Sequence, residues 1–145
     1  MIRLVIGYDG SLAAREAIRA AGTLFPAAQA HVVHVWLRAA FETEPPPFGD
    51  VRGLGTDAVD AMAAQGEALA RAAGLAAMGR TVRATGPVSR ALLAEIEELQ
   101  PHVVVLGTRG GRGSGASVSL GLLAHSPAPL LVVARRGRHP TASAP

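Results

Sequence analysis

The chain has 145 residues, one domain's worth, and no cysteine, which excludes a disulfide framework, a thiolate nucleophile and a cysteine metal cluster. All 14 basic residues are arginine, so neither a Schiff-base lysine nor a Walker-type phosphate lysine is available. Three of those arginines (Arg135, Arg136, Arg138) sit in the acid-free stretch 135–145, leaving 11 arginines against 11 acids over residues 1–134; with 3% aromatic residues, neither a basic groove nor a base-stacking platform is expected, and nucleic acid is not an expected partner.

Arg3 to Tyr8 is predicted to be a strand, because Leu4-Val5-Ile6 is an unbroken apolar run closed by Gly7. The run is too short for a signal-peptide core, and no stretch approaches the roughly 18 apolar residues of a membrane span, so a soluble cytoplasmic protein with no membrane partner is expected. Asp9-Gly10-Ser11 supplies a turn, with Ser11 as N-cap of a helix running to about Phe25. Ala14, Ala17, Ile18, Ala21 and Phe25 form its apolar face, and Pro26 stops it.

His31 to Trp36 is the second predicted strand, and Leu37 to Gly55, with its three consecutive prolines and its glycines, reads as a long mobile loop. A helix is expected from Thr56 to Gly74, with Val59, Met62, Gly66, Leu69 and Ala73 on one face. Met78 to Thr85 reads as an edge strand, since Val82 alone is strongly β-favouring and Arg80 and Arg83 suit a sheet margin. Gly86 is the expected N-cap and Pro87 the first residue of a third helix whose core face is Leu92, Ile96 and Leu99; Glu95, Glu97 and Glu98 read as its solvated face. His102 to Thr108 is the fourth strand, Ser117 to about His125 a short helix ended by Pro127, and Leu130 to Ala134 the fifth strand. Residues 135–145 read as a disordered basic tail behind a domain of residues 1–134.

Unbroken aliphatic strands separated by helices are the pattern of strands buried on both faces. They predict an α/β fold with a doubly wound, five-stranded parallel sheet and helices on both faces. Ligands of such sheets sit at the carboxyl ends of strands where the winding reverses. Asp9 follows the first strand, Val35 ends the second and Gly107 to Gly110 follows the fourth, and they converge if the strand order is 3-2-1-4-5.

The most informative segment is Gly107-Thr108-Arg109-Gly110-Gly111-Arg112-Gly113-Ser114-Gly115-Ala116-Ser117, which joins a buried strand to a helix. A glycine-rich, hydroxyl-bearing loop ahead of a helix offers backbone N–H groups and a positive dipole end to a phosphate, and Arg109 or Arg112 can add bidentate charge. The five histidines lack the paired spacing of a metal site, and there is no Ser-His-Asp arrangement at an elbow; no catalytic or metal-ligating set is expected.

Val5-Ile6-Gly7-Tyr8-Asp9-Gly10-Ser11, the His34-Val35 strand end, Gly86-Pro87, Val103-Val104-Val105-Leu106-Gly107-Thr108-Arg109-Gly110 and Ser126-Pro127-Ala128-Pro129-Leu130-Leu131-Val132-Val133 together resemble the universal stress protein family, in order over about residues 2 to 134. The resemblance implies ATP or another adenine nucleotide (ADP, AMP or cyclic AMP), with or without magnesium, bound between the first and fourth strands. It also implies a homodimer joined along the last strand and action through conformation or an unidentified protein partner. In that reading Asp9 contacts the adenine or ribose side, with Gly7, Tyr8 and Ser11 around it, and the Val35 backbone reads the adenine edge. Gly107, Thr108, Arg109, Gly110 and Arg112 follow the ribose and phosphates, and Ser117 with the Val118 N–H holds phosphate oxygens.

The chain departs from the family's nucleotide pattern G-x2-G-x9-G-[S/T]: anchored on Ala116-Ser117, it gives G-x2-G-x5-A-S, four residues short and with alanine for the last glycine. A shorter loop offers fewer amides to a triphosphate. A nucleotide-free interaction module of the same fold is therefore the alternative, with a slow ATPase behind it.

Overall fold

The computed structural model describes residues 1–37, 52–108 and 115–134. Its elements in chain order are β1 (Arg3–Gly7), α1 (Leu12–Leu24), β2 (Gln29–Leu37), α2 (Arg52–Ala72), β3 (Ala76–Ala84), α3 (Val88–Leu99), β4 (Val103–Gly107), α4 (Gly115–Leu123) and β5 (Leu130–Val133). The sheet is parallel throughout, in the order β3-β2-β1-β4-β5. Central β1 places Ile6 opposite Val32 on one side and Val105 on the other.

The unbroken apolar runs have a direct cause. Successive strand residues point to opposite faces, so a strand covered on both sides needs apolar residues at every position. Leu4, Ile6, Val32 and Val105 pack under α1 and α2 with Ala17, Ile18, Ala21 and Ala70, whereas Val5, Val33, Val104 and Leu106 pack under α3 and α4 with Leu92, Ile96 and Leu122. The alanine-rich face lets α1 lie close to its neighbours: a Cβ on Gly107 would come within 2.5 Å of the Ala13 backbone, and one on Gly22 within 2.3 Å of the carbonyl of Ala73, the residue that follows α2.

Local signals set the helix ends. Ser11 caps α1 as expected, its hydroxyl accepting the Ala14 N–H at 3.1 Å, and Gly74, at φ +91°, follows α2 in the left-handed region that glycine tolerates. Several boundaries differ from expectation, among them the start of β3, at Ala76 rather than Met78. α2 begins at Arg52, four residues before Thr56. Gly53 and Gly55 argue for a loop by propensity, but extending a formed helix adds a hydrogen bond per residue without a new nucleus. β2 starts at Gln29, whose N–H donates to the Ile2 carbonyl. α3 starts at Val88, with Pro87 itself in the capping position at ψ 141°, and α4 spans Gly115–Leu123, two residues ahead of its expected frame. Most of the expected mobile loop, 38–51, and all of the expected tail, 135–145, lie outside the described residues.

β3 is a sheet edge, as its composition suggested. Its outer backbone groups are met by α2: Glu67 accepts the Gly79 N–H at 2.7 Å, Arg71 Nε donates to the Ala77 carbonyl at 3.1 Å, and the two side chains pair at 2.9 Å. On the opposite face Arg80 reaches α3, with Glu95 at 2.5 Å and Glu98 at 3.1 Å. Glu95 therefore corrects the solvated-face reading: it is 8% exposed, turned under the helix to meet a strand arginine. Burial works against the Arg80 charge, but the hydrogen bond to Glu98 and the charges of both carboxylates outweigh it and hold the guanidinium above its ordinary pKa. Glu95→Ala is expected to cost about 1–3 kcal/mol in urea unfolding, the range for a charged hydrogen bond lost from a sheltered site, whereas Glu97→Ala should change stability by under about 0.5 kcal/mol. Among the described residues no helix is long and apolar enough to cross a membrane.

Candidate functional site

The winding reverses at β1: the chain leaves it toward β2 and β3 on one side and later returns to place β4 and β5 on the other. A crevice at the carboxyl ends of β1, β2 and β4 is the geometric consequence. A cavity of about 190 Å³ lies there, and each element that meets the crevice contributes to it.

From the β1–α1 corner come Gly7, Tyr8, Asp9, Ser11 and Ala14. Gly7 forms part of the floor, where a Cβ would stand 2.7 Å from Leu106 Cδ2. Asp9 is fixed by its own turn, Oδ1 accepting the Ser11 N–H at 2.9 Å, and Gly10 makes the bend at φ +80°. A carboxylate so placed is favoured by the N-terminal dipole of α1 whatever else it does. From β2 come Val33 and Val35, the second lying beyond the last β1–β2 pair, Gly7 with Val33. Leu106 and Gly107 close β4, and Val118 brings the first turn of α4 to the cavity wall, the end of a helix whose N–H groups point outward along its axis.

The structure thus brings Gly7, Tyr8, Asp9, Ser11, Val35, Gly107 and Val118 of the expected set around one cavity. Thr108 follows β4 but its N–H turns toward β5, donating to the Val133 carbonyl at 3.1 Å, and it does not line the cavity. Ser117 lies in the first turn of α4, one residue before Val118. Arg109, Gly110 and Arg112 lie outside the described residues.

Sequence reasoning missed the apolar walls Ala14, Val33, Val88, Leu92 and Leu106. A signal for two of them existed. In a parallel sheet every helix starts at the strands' carboxyl end, so the first turns of α3 had to lie near the crevice. Asp9 is the sole charged side chain among the described lining residues; the rest of the wall is chiefly aliphatic, with Ser11 and the Tyr8 segment as polar exceptions. Such a surface suits a flat, largely apolar group with a polar edge, held at one end by a carboxylate and at the other by helical amides. Among the described residues no group of three His, Asp or Glu side chains is placed to hold a metal ion.

Comparison with known proteins gives the family and the fold. Residues 1–134 match the sequence profile of the universal stress protein family. No curated protein sequence matches the chain. Among solved structures, a protein of the same family from Burkholderia pseudomallei is similar at 22% identity and a TM-score of 0.65, covering 90% of this chain and 94% of its own. A universal stress protein in complex with cAMP is similar at 21% identity and a TM-score of 0.68, covering 91% of this chain and 96% of its own. A family member from Arabidopsis thaliana with AMP bound is similar at 14% identity and a TM-score of 0.69, covering 94% of each chain. At these identities the structures speak to the fold.

Proposed function

The chain belongs to the universal stress protein family, and from that premise we propose that it binds an adenine nucleotide in the cavity between β1 and β4 and acts through the bound conformation rather than by turnover. The observation that carries the reading is the convergence of three independent elements on one cavity: the Asp9 corner, the Val35 strand end and the first turn of α4. The fold neighbours that hold cAMP and AMP support the ligand class. In this reading Asp9 meets the ribose side and Val35 the base edge. Gly107, Gly110 and the α4 turn at Ser117 and Val118 take the phosphate side, with Arg109 and Arg112 as charge partners and magnesium as an optional companion of the phosphates.

The wider reading is a cytoplasmic homodimer whose nucleotide state is sensed by a protein partner. The outer edge of β5 ends the sheet, Val132 on that strand is 36% exposed, and Leu120 and Leu123 of α4, which contacts β5, are 66% and 62% exposed, which favours a second copy on this side.

A thermal-shift titration of the full chain with ATP, ADP, AMP and cyclic AMP tests the ligand. At a hundred times its dissociation constant a nucleotide that binds the native state alone adds about 2.7 kcal/mol, equivalent to a rise of about 5–10 °C. The aliphatic lining and the shortened glycine loop favour a second reading, a nucleotide-free interaction module, which predicts no shift with any of the four.

A further inference from the structure

We propose that His34 is a positioning residue for this site: by occupying the Tyr8 carbonyl it ends the β1–β2 ladder one bond early and keeps the Val35 N–H available to the edge of an adenine base. The ligand in this statement rests on the nucleotide reading above; the effect on the ladder does not.

Odd-numbered residues of β2 bond to the β1 side. Gln29 donates to the Ile2 carbonyl at 2.9 Å, and the Val33 carbonyl accepts the Tyr8 N–H at 2.9 Å. Even-numbered positions face β3, as the Ala28 carbonyl does in accepting the Ala76 N–H. A parallel ladder repeats every two residues, so the next bond in line runs from the Val35 N–H to the Tyr8 carbonyl. Among the described residues that bond is not made. The Tyr8 carbonyl instead has His34 Nδ1 at 2.9 Å. A carbonyl oxygen can only accept, so in this contact Nδ1 carries the proton and donates.

The geometry explains why one bond displaces the other. Side chains stand out of the sheet plane, and His34 projects on the same face as Val32, toward α2. A carbonyl held by that imidazole is tipped out of the plane in which the Val35 N–H lies. The same peptide unit carries the Asp9 N–H, so its tilt also sets how the chain enters the Asp9-Gly10-Ser11 turn. Tyr8 cannot follow freely, because its hydroxyl donates to Gln65 of α2 and its ring packs against Gly66.

Val35 then presents an N–H and a C=O, both on the β1 side and at the cavity. Adenine matches that pair with an acceptor ring nitrogen beside its amino donor. Hypoxanthine offers the reverse order, an acceptor oxygen beside a ring N–H. His34 therefore acts through Val35 on base selection, without touching the ligand.

The test measures amide hydrogen exchange on the full-length protein without ligand, and AMP and IMP affinities, for the wild type, His34→Ala and His34→Asn. The asparagine amide can place a donor where Nδ1 stands. In the wild type the Val35 amide is expected to exchange at least tenfold faster than that of Val33. In His34→Ala it should slow at least tenfold as the ladder closes, while AMP affinity falls about tenfold and the preference for AMP over IMP shrinks. His34→Asn should restore all three properties. An unchanged Val35 exchange rate in His34→Ala overturns the proposal, as does an AMP-to-IMP ratio that is the same in His34→Ala as in a wild type that binds AMP. Should His34→Ala fail to fold, a wild-type Val35 amide as slow as that of Val33 overturns it alone. If the wild type binds no adenine nucleotide, the nucleotide reading fails, and the exchange rates still decide the role of His34.

Discussion

Gly22→Val is expected to destabilise the protein by about 3 kcal/mol or more, the upper part of the range for overpacking at a tight contact. α1 meets the turn that ends α2 so closely here that a Cβ would stand 2.3 Å from the Ala73 carbonyl oxygen and 2.9 Å from the Ala73 Cβ. Neither neighbour is a flexible side-chain tip that can swing away; one is backbone. The helices would have to separate, and both cover the core cluster containing Ile18, Ala21 and Ala70. Urea unfolding should show the loss, with a fall in melting temperature of about 6–12 °C. Gly74→Ala is the control. Gly74 has nothing within 4 Å of its would-be Cβ and pays only for its φ of +91°, so about 1 kcal/mol is expected. Equal effects at the two positions would show that backbone strain, rather than helix contact, governs Gly22.

The contrast between those glycines marks where reading the sequence succeeds. Gly74 was legible as a helix stop because its cause is local: a left-handed residue after a helical pattern. Gly22 sits inside a helical pattern, and its reason lies at Ala73, just past α2 and some fifty residues away. The same division runs through the fold. Leu4 to Ile6 and Val103 to Leu106 announce strands buried on both faces, since every position is aliphatic, and those runs with intervening helices imply the parallel sheet that is observed. Glu95 was misread because three acids within four residues look like a wet surface. Its partner, Arg80, lies on a strand, and only the position of β3 beneath α3 brings the two together. In the site, the polar corner at Asp9 and the strand ends at Val35 and Gly107 were legible from topology. Val33 was not, because an aliphatic side chain facing a cavity has the same local pattern as one facing the core; Val88 and Leu92 share that pattern, and only the rule that α3 starts at the carboxyl end of the sheet could have marked them.

Those unremarkable walls give the sharpest separation between binding and folding. Val88→Trp is expected to lower nucleotide affinity at least a hundredfold, about 2.7 kcal/mol, while leaving the melting temperature within about 3 °C. Val88 is half-buried at the start of α3 and lines the cavity, so an indole there extends into the space of about 190 Å³ rather than into packed core. Asp9→Asn asks the complementary question at the opposite wall. Asparagine retains the side-chain oxygen that accepts the Ser11 N–H, and it forms such turns as readily as aspartate, so the start of α1 should keep its stability to within about 0.5 kcal/mol. What it loses is the charge. If the carboxylate binds a ribose hydroxyl, that loss should weaken nucleotide binding by about 1.5–3 kcal/mol, roughly ten- to a hundredfold by calorimetric titration. Were Asp9 only a dipole partner for α1, Asp9→Asn would lower the melting temperature slightly and leave the affinity where it was. The two variants thus locate the ligand from opposite sides, and unchanged affinity in both would place any bound nucleotide somewhere other than this cavity.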